Sequence, residues 1–180
     1  MSEWAQGAEE RLVNVWPAVT RLMMQGWTLR FANGYSARAN SASAIMQGAV
    51  MTPALLDEME RLFALEGLTP TVRVTPVADA GTAEFLRSRG YKIKDEALTM
   101  MRDLPHGEVQ SDARVTLAAS PHDAWLSGVS VRQQASKRNP AHLLDIVGRI
   151  KLPAAFGTIH EQGIALGFGL AVIDRGWVEF

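Results

Sequence analysis

Between Gly26 and Ser41 the chain reads GWTLRFANGYSARANS, and no other stretch constrains the fold as tightly. Trp27 to Ala32 alternates as a strand does, with Trp27, Leu29 and Phe31 on one face. Asn33-Gly34 is the favoured two-residue hairpin turn, because type I′ geometry needs positive φ at both positions. Tyr35 to Ser41 is then expected to return as the second strand. A tight turn would set Phe31 opposite Ser36, Leu29 opposite Arg38 and Trp27 opposite Asn40. An Arg and an Asn on a face that aromatics mark as buried require specific partners or a ligand. The alternative is a bulge that turns Arg38 and Asn40 back to solvent.

Composition narrows what such a hairpin can belong to. The 180 residues are 47% hydrophobic, enough for a sizeable core in one domain or two small ones. A net charge of −1, with both signs interspersed, lacks the basic footprint of a nucleic-acid binder. The chain has no cysteine, which excludes disulfides, thiolate metal sites and a cysteine nucleophile. His106, His122, His142 and His160 lie far apart without ligand spacing, so no metal is expected. No apolar run reaches the ~20 residues of a membrane span. The N-terminal MSEWAQGAEERL is acidic and amphipathic, unlike a signal peptide, and a cytoplasmic location is expected.

Apolar spacing at Leu12, Val15, Trp16, Val19, Leu22 and Met23 predicts a helix over residues 3–24, kinked or divided in two at Pro17. After the hairpin, residues 42–52 read as a loop. Thr52 and Pro53 then cap and open a helix that stops at Gly67. Thr71 to Thr75 is a short strand, Asp79 to Arg89 a helix, and Tyr91 to Leu104 one or two strands. Pro105 to Asp112 is polar and punctuated, as a linker is. Beyond it come a strand over Arg114 to Ala118, a helix capped by Ser120 and a helix opened by Asn139-Pro140. Three antiparallel strands follow: Phe156 to His160, Gly163 to Ile173, and Trp177 onward.

The signature Leu29 to Ser41, LRFANGYSARANS, and the segment AEFLRSRGYKIKDEALTMMRDL resemble the GNAT N-acetyltransferase superfamily. The match is to a branch with such an N-terminal hairpin. The second segment looks like the closing half of a GNAT fold, and the elements from Arg114 look like an opening half. The resemblance implies an α/β fold of mixed α+β type: a predominantly antiparallel twisted sheet flanked by helices, in two GNAT-like parts. The expected division is residues 1–104, a linker 105–112, and an opening half 113–180 that ends early in a central strand. The implied activity is acetyl transfer from acetyl-CoA to a small-molecule or peptide amine, by direct attack in a ternary complex.

Two departures from the family pattern matter. The Q/R-x-x-G-x-G/A loop that holds the cofactor pyrophosphate is absent; before the Pro53 helix the chain reads MQGAVMTP. Leu86 stands where the family often has a tyrosine acid, four residues before Gly90. The expectation is a truncated acetyltransferase that binds acetyl-CoA weakly, with an open strand edge at Trp177 to Phe180. Such an edge would favour a homo-oligomer or strand exchange. The resemblance makes Glu179 the candidate general base, against the reading of a solvent-facing strand residue. Arg30, Arg38 and Asn40 of the hairpin, and Trp125 of the first helix of the second part, are the candidate substrate-binding residues. Trp125 also reads as packing. Asn33 is accounted for by its turn, Gly167-Phe168-Gly169 by close backbone packing, and Lys137-Arg138 and Arg87/Arg89 by solvated helix faces. The cofactor-binding residues stay unassigned. A non-catalytic ligand-binding or regulatory module, or a half of a hetero-oligomer, is the alternative function.

Overall fold

Four X-Gly pairs set the course of the backbone: Gln25-Gly26, Asn33-Gly34, Gln162-Gly163 and Arg175-Gly176 all have positive φ at both positions. That is the geometry whose twist matches paired strands. In the computed structural model, which describes residues 3–104, 107, 112–134 and 139–180, three of the pairs close β-hairpins. Most of the predicted 105–112 linker and the Lys137-Arg138 pair lie outside the described residues.

The first sheet has the order β1-β2-β3-β4. β1 (Thr20–Met24) pairs antiparallel with β2 (Trp27–Phe31), and β2 with β3 (Ala42–Ala44). β4 (Val72–Arg73) runs parallel to β3. The predicted helix over residues 3–24 is therefore corrected. The helix α1 (Glu3–Val15) stops short of Pro17, and the Gln25-Gly26 turn folds Thr20 to Met24 onto β2. Leu22 and Met23, counted in the helical stripe, are exposed strand residues.

The predicted return strand Tyr35 to Ser41 is corrected as well. The Asn33-Gly34 turn forms, but a single helical turn (Ala37–Ala39) follows it, and β3 starts at Ala42. Leu29 thus faces Ala42 and Trp27 faces Ala44. The crossover from β3 to β4 is α2 (Pro53–Leu65), with Pro53 in its first turn and Thr52 Oγ1 accepting from the Leu55 amide at 3.2 Å. Trp27, Leu29 and Phe31 pack under Leu55, Met59, Phe63 and Val77, with the Phe31 and Phe63 rings edge to face at 5.0 Å. After α3 (Thr82–Ser88) no strand forms over Tyr91 to Leu104, and Ile93, Leu98 and Met100 are exposed. β4, which precedes this segment, is two residues long and offers a partner strand few backbone groups.

The second sheet is antiparallel, in the order β5-β6-β7-β8: Val115–Ala118, Ala154–Glu161, Ile164–Asp174 and Trp177–Glu179. Between β5 and β6 lie α4 (Asp123–Gln134) and α5 (Pro140–Val147). α5 is capped by Asn139 as predicted. At α4 the ring nitrogen of His122, and not Ser120, accepts from the Trp125 amide, at 3.2 Å. Gly128 of α4 sits against the Phe168 ring so closely that a Cβ there would lie 1.9 Å from it. The second core joins Trp125, Leu143, Ile146 and Phe156 to Ala32, Tyr35 and Ala39 from the loop after β2.

α1 spans both sheets. Glu9 meets Arg73 of β4 at 2.9 Å, Asn14 donates to Asp174 of β7 at 3.0 Å, and Trp4 packs edge-on against Trp177 of β8. The architecture is mixed α+β, with five helices and two sheets among the described residues. No helix among them is long and apolar enough to cross a membrane.

Candidate functional site

The loop after β2 is organised by one side chain. Asn40 is buried, and its Oδ1 accepts from the amides of Ala32 at 2.7 Å and Gly34 at 3.0 Å. Its Nδ2 donates to the carbonyls of Ser36 at 2.8 Å and Ala32 at 3.4 Å. Ser36 caps the turn Ala37–Ala39 and accepts the indole N–H of Trp16 at 3.0 Å. These bonds hold Arg38, an exposed residue, at the rim of a cleft of about 340 Å³. That volume is in the range of small-ligand sites.

Val15 and Trp16, at the end of α1, form one wall of the cleft, and Leu170 and Val172 of β7 form another. Ser36 and Arg38 lie at the rim, and Glu179 and Phe180 complete the lining. Register carries Glu179 there, since it pairs with Val172 across β7 and β8. Opposed residues of an antiparallel pair point to one face. Burial pushes the half-buried Glu179 carboxyl above its ordinary value, with Arg38 and Arg11 pulling it back and Asp174 and Glu9 adding to the rise.

Arg30 lies behind the Trp16 wall. It is fully buried, and its Nη2 donates to the Trp16 carbonyl. Its Nε and Nη1 find no acceptor among the described residues. Burial, reinforced by Arg73, Arg38 and Arg21, lowers its pKa to about 10. Arg21 is its direct cross-strand neighbour on β1.

The structure thus brings Glu179 and Arg38, predicted from opposite ends of the chain, to one cleft and sets Arg30 behind it. Asn40 lies beneath the loop, where it holds the backbone. Trp125 does not line this cleft. It is buried in the second core, its indole N–H donating to the Gly169 carbonyl at 3.0 Å and its ring edge-on to Phe156 at 5.0 Å. The sequence reading missed Trp16, Ser36, Leu170 and Val172. Trp16-Pro17 carried a usable signal, because a residue before proline is biased away from the helix.

The loop between β3 and α2 occupies the position of a phosphate-binding turn, so its free amides decide whether it can cradle one. The amides of Ile45 and Met46 donate to the Gly26 carbonyl, that of Gly48 to Val77 and that of Ala49 to Met46. The Leu55 amide is taken by Thr52. Those five amides are therefore not available to a pyrophosphate. Among the described residues, no group of three or more His, Asp or Glu side chains could hold a metal ion.

Among known proteins, the family model described as probable histone acetyltransferase Rv0428c C-terminal matches residues 6–173. Searches of curated proteins and of solved structures returned no match.

Proposed function

The chain belongs to the family of the probable histone acetyltransferase Rv0428c C-terminal region, and from that premise we propose that it moves an acetyl group from acetyl-CoA to an amine by GNAT-type chemistry. The observation that carries the reading is Glu179, a half-buried carboxylate in a walled cleft whose proton affinity burial has raised. A carboxylate tuned upward is a better acceptor for the ammonium proton of an incoming amine. The freed nitrogen attacks the thioester carbonyl carbon, the C–S bond breaks and the thiolate leaves with the electron pair; the second proton, shed by the nitrogen as it becomes an amide, passes through water to the thiolate. The helix-flanked order of β5 to β8 supports an opening GNAT half over residues 113–180, beside a closing half over 1–104.

The test is release of free thiol from acetyl-CoA across a panel of amines, for the parent and for Glu179→Gln. Substitution should lower kcat/KM by about a hundred- to ten-thousand-fold, with the far-ultraviolet circular dichroism unchanged. Equal rates in parent and variant, or no release with any amine, would reject the reading. The second reading, a ligand-binding module without catalysis, is favoured by the committed amides of the loop before α2. Calorimetry separates the two: heat on adding cleft ligands but none on adding acetyl-CoA selects the module.

A further inference from the structure

Three guanidinium groups bear on this part of the chain: Arg38 at the rim of the cleft, Arg30 bonded to the Trp16 carbonyl behind its wall, and Arg11 over the Trp177 ring, whose charge is felt at Glu179. Among the described residues none of the three has a carboxylate hydrogen-bonded to it. The nearby acids are engaged elsewhere. Glu9 holds Arg73 at 2.9 Å, and Asp174 holds Asn14 and Arg175 at 3.0 Å each. Arg11 lies over the Trp177 ring and has its buried Nε unmatched; Arg30 has two nitrogens unmatched. A buried guanidinium left short of acceptors is costly, and an oxyanion is the group that meets its planar donors best. Of the three, Arg38 lines the cleft itself, together with the Glu179 carboxylate that would receive an ammonium.

We infer that the cleft selects an amine that also carries a carboxylate, with the ligand's carboxylate against Arg38, in the field of Arg30 and Arg11, and its amine toward Glu179. This rests on the acetyl-transfer reading only for the role of the amine. The same arrangement disfavours a lysine-rich polypeptide, whose further positive charges would meet the arginines.

N-acetylglycine is the product that transfer to the simplest such amine would yield, and it serves as the probe. The full chain, labelled with nitrogen-15, is titrated with N-acetylglycine, with its neutral amide N-acetylglycinamide, and with inorganic pyrophosphate. The indole N–H of Trp16 and the arginine Nε–H signals are followed. N-acetylglycine should move them saturably, and its amide should not. Arg38→Gln, a change at an exposed residue, should weaken the N-acetylglycine response about tenfold while leaving the remaining amide spectrum in place. Equal response to acid and amide would overturn the inference, as would unchanged affinity in Arg38→Gln. A response to pyrophosphate alone would overturn it too, assigning the arginines to a phosphate-bearing ligand. Acetyl-CoA is absent from this titration, so failure of the transferase reading leaves its outcome intact, and the reverse holds as well.

Discussion

Asn40 and Arg30 are both buried polar side chains, one at each end of the same strand-and-loop unit, and their surroundings are opposite. Asn40 makes four hydrogen bonds to the backbone of its own loop. Arg30 makes one to the Trp16 carbonyl and leaves Nε and Nη1 unmatched among the described residues. A polar group whose partners all lie within the chain serves the architecture; one left short calls for a separate explanation, and the inferred ligand supplies one for Arg30. The sharpest way to break this contrast is Asn40→Ala. It strands the Ala32 amide in the interior and frees the Gly34 amide, so urea denaturation should show a loss of about 2–3 kcal/mol. A loss under about 1 kcal/mol would mean that water replaces the side chain and that Asn40 is no keystone.

Trp125 sharpens the contrast from the other core. Its indole N–H is satisfied by Gly169 and its ring by Phe156, which puts it on the architectural side with Asn40. Trp125→Phe should cost about 1–2 kcal/mol through the lost hydrogen bond and the space left behind. Binding of N-acetylglycine should stay unchanged in the same titration. A variant of parental stability with lost binding would move Trp125 to Arg30's side.

Both cores show what local sequence can and cannot carry. The hairpins at Gln162-Gly163 and Arg175-Gly176, and the caps Thr52 and Asn139, were legible because a dipeptide or a single side chain fixes each. Apolar spacing up to Met23 fitted a helix, yet pairing with β2 prevailed, because the Gln25-Gly26 turn brings a partner strand that spacing does not register. Asn33-Gly34 was read correctly as a turn, but the path beyond it depends on Asn40 reaching back eight residues and on Tyr35 and Ala39 entering the second core. The cleft was legible residue by residue only in part. Glu179 and Arg38 carry chemistry that names them, whereas Leu170 and Val172 become walls only once α1 lies across both sheets.

Arg30→Met tests the other half of the contrast. Methionine can fill the volume and removes a charge that the interior does not pair, so stability should stay within about 1 kcal/mol of the parent or rise. The N-acetylglycine response should fall. A loss above about 2 kcal/mol with binding retained would show that the bond to Trp16 is structural and that Arg30 belongs with Asn40.

The smallest effect is the most direct probe of the cleft. Burial sets the folded-state pKa of Glu179 above its ordinary value of 4.5. The folded chain therefore binds the proton more tightly than the unfolded chain, and what this group contributes is lost as pH rises through the folded value. At neutral pH the ionised Glu179 costs stability, and Glu179→Gln removes that cost. The variant should melt slightly above the parent at pH 7, and the gap should close as pH falls below the ordinary carboxylate value. A parent that melts higher at pH 7, with the gap closing on acidification, would mean that Arg38 and Arg11 outweigh burial. Glu179 would then be an ion-paired acid, matched within the chain as Asn40 is, and the proposed acetyl transfer would lose the raised carboxylate on which it rests.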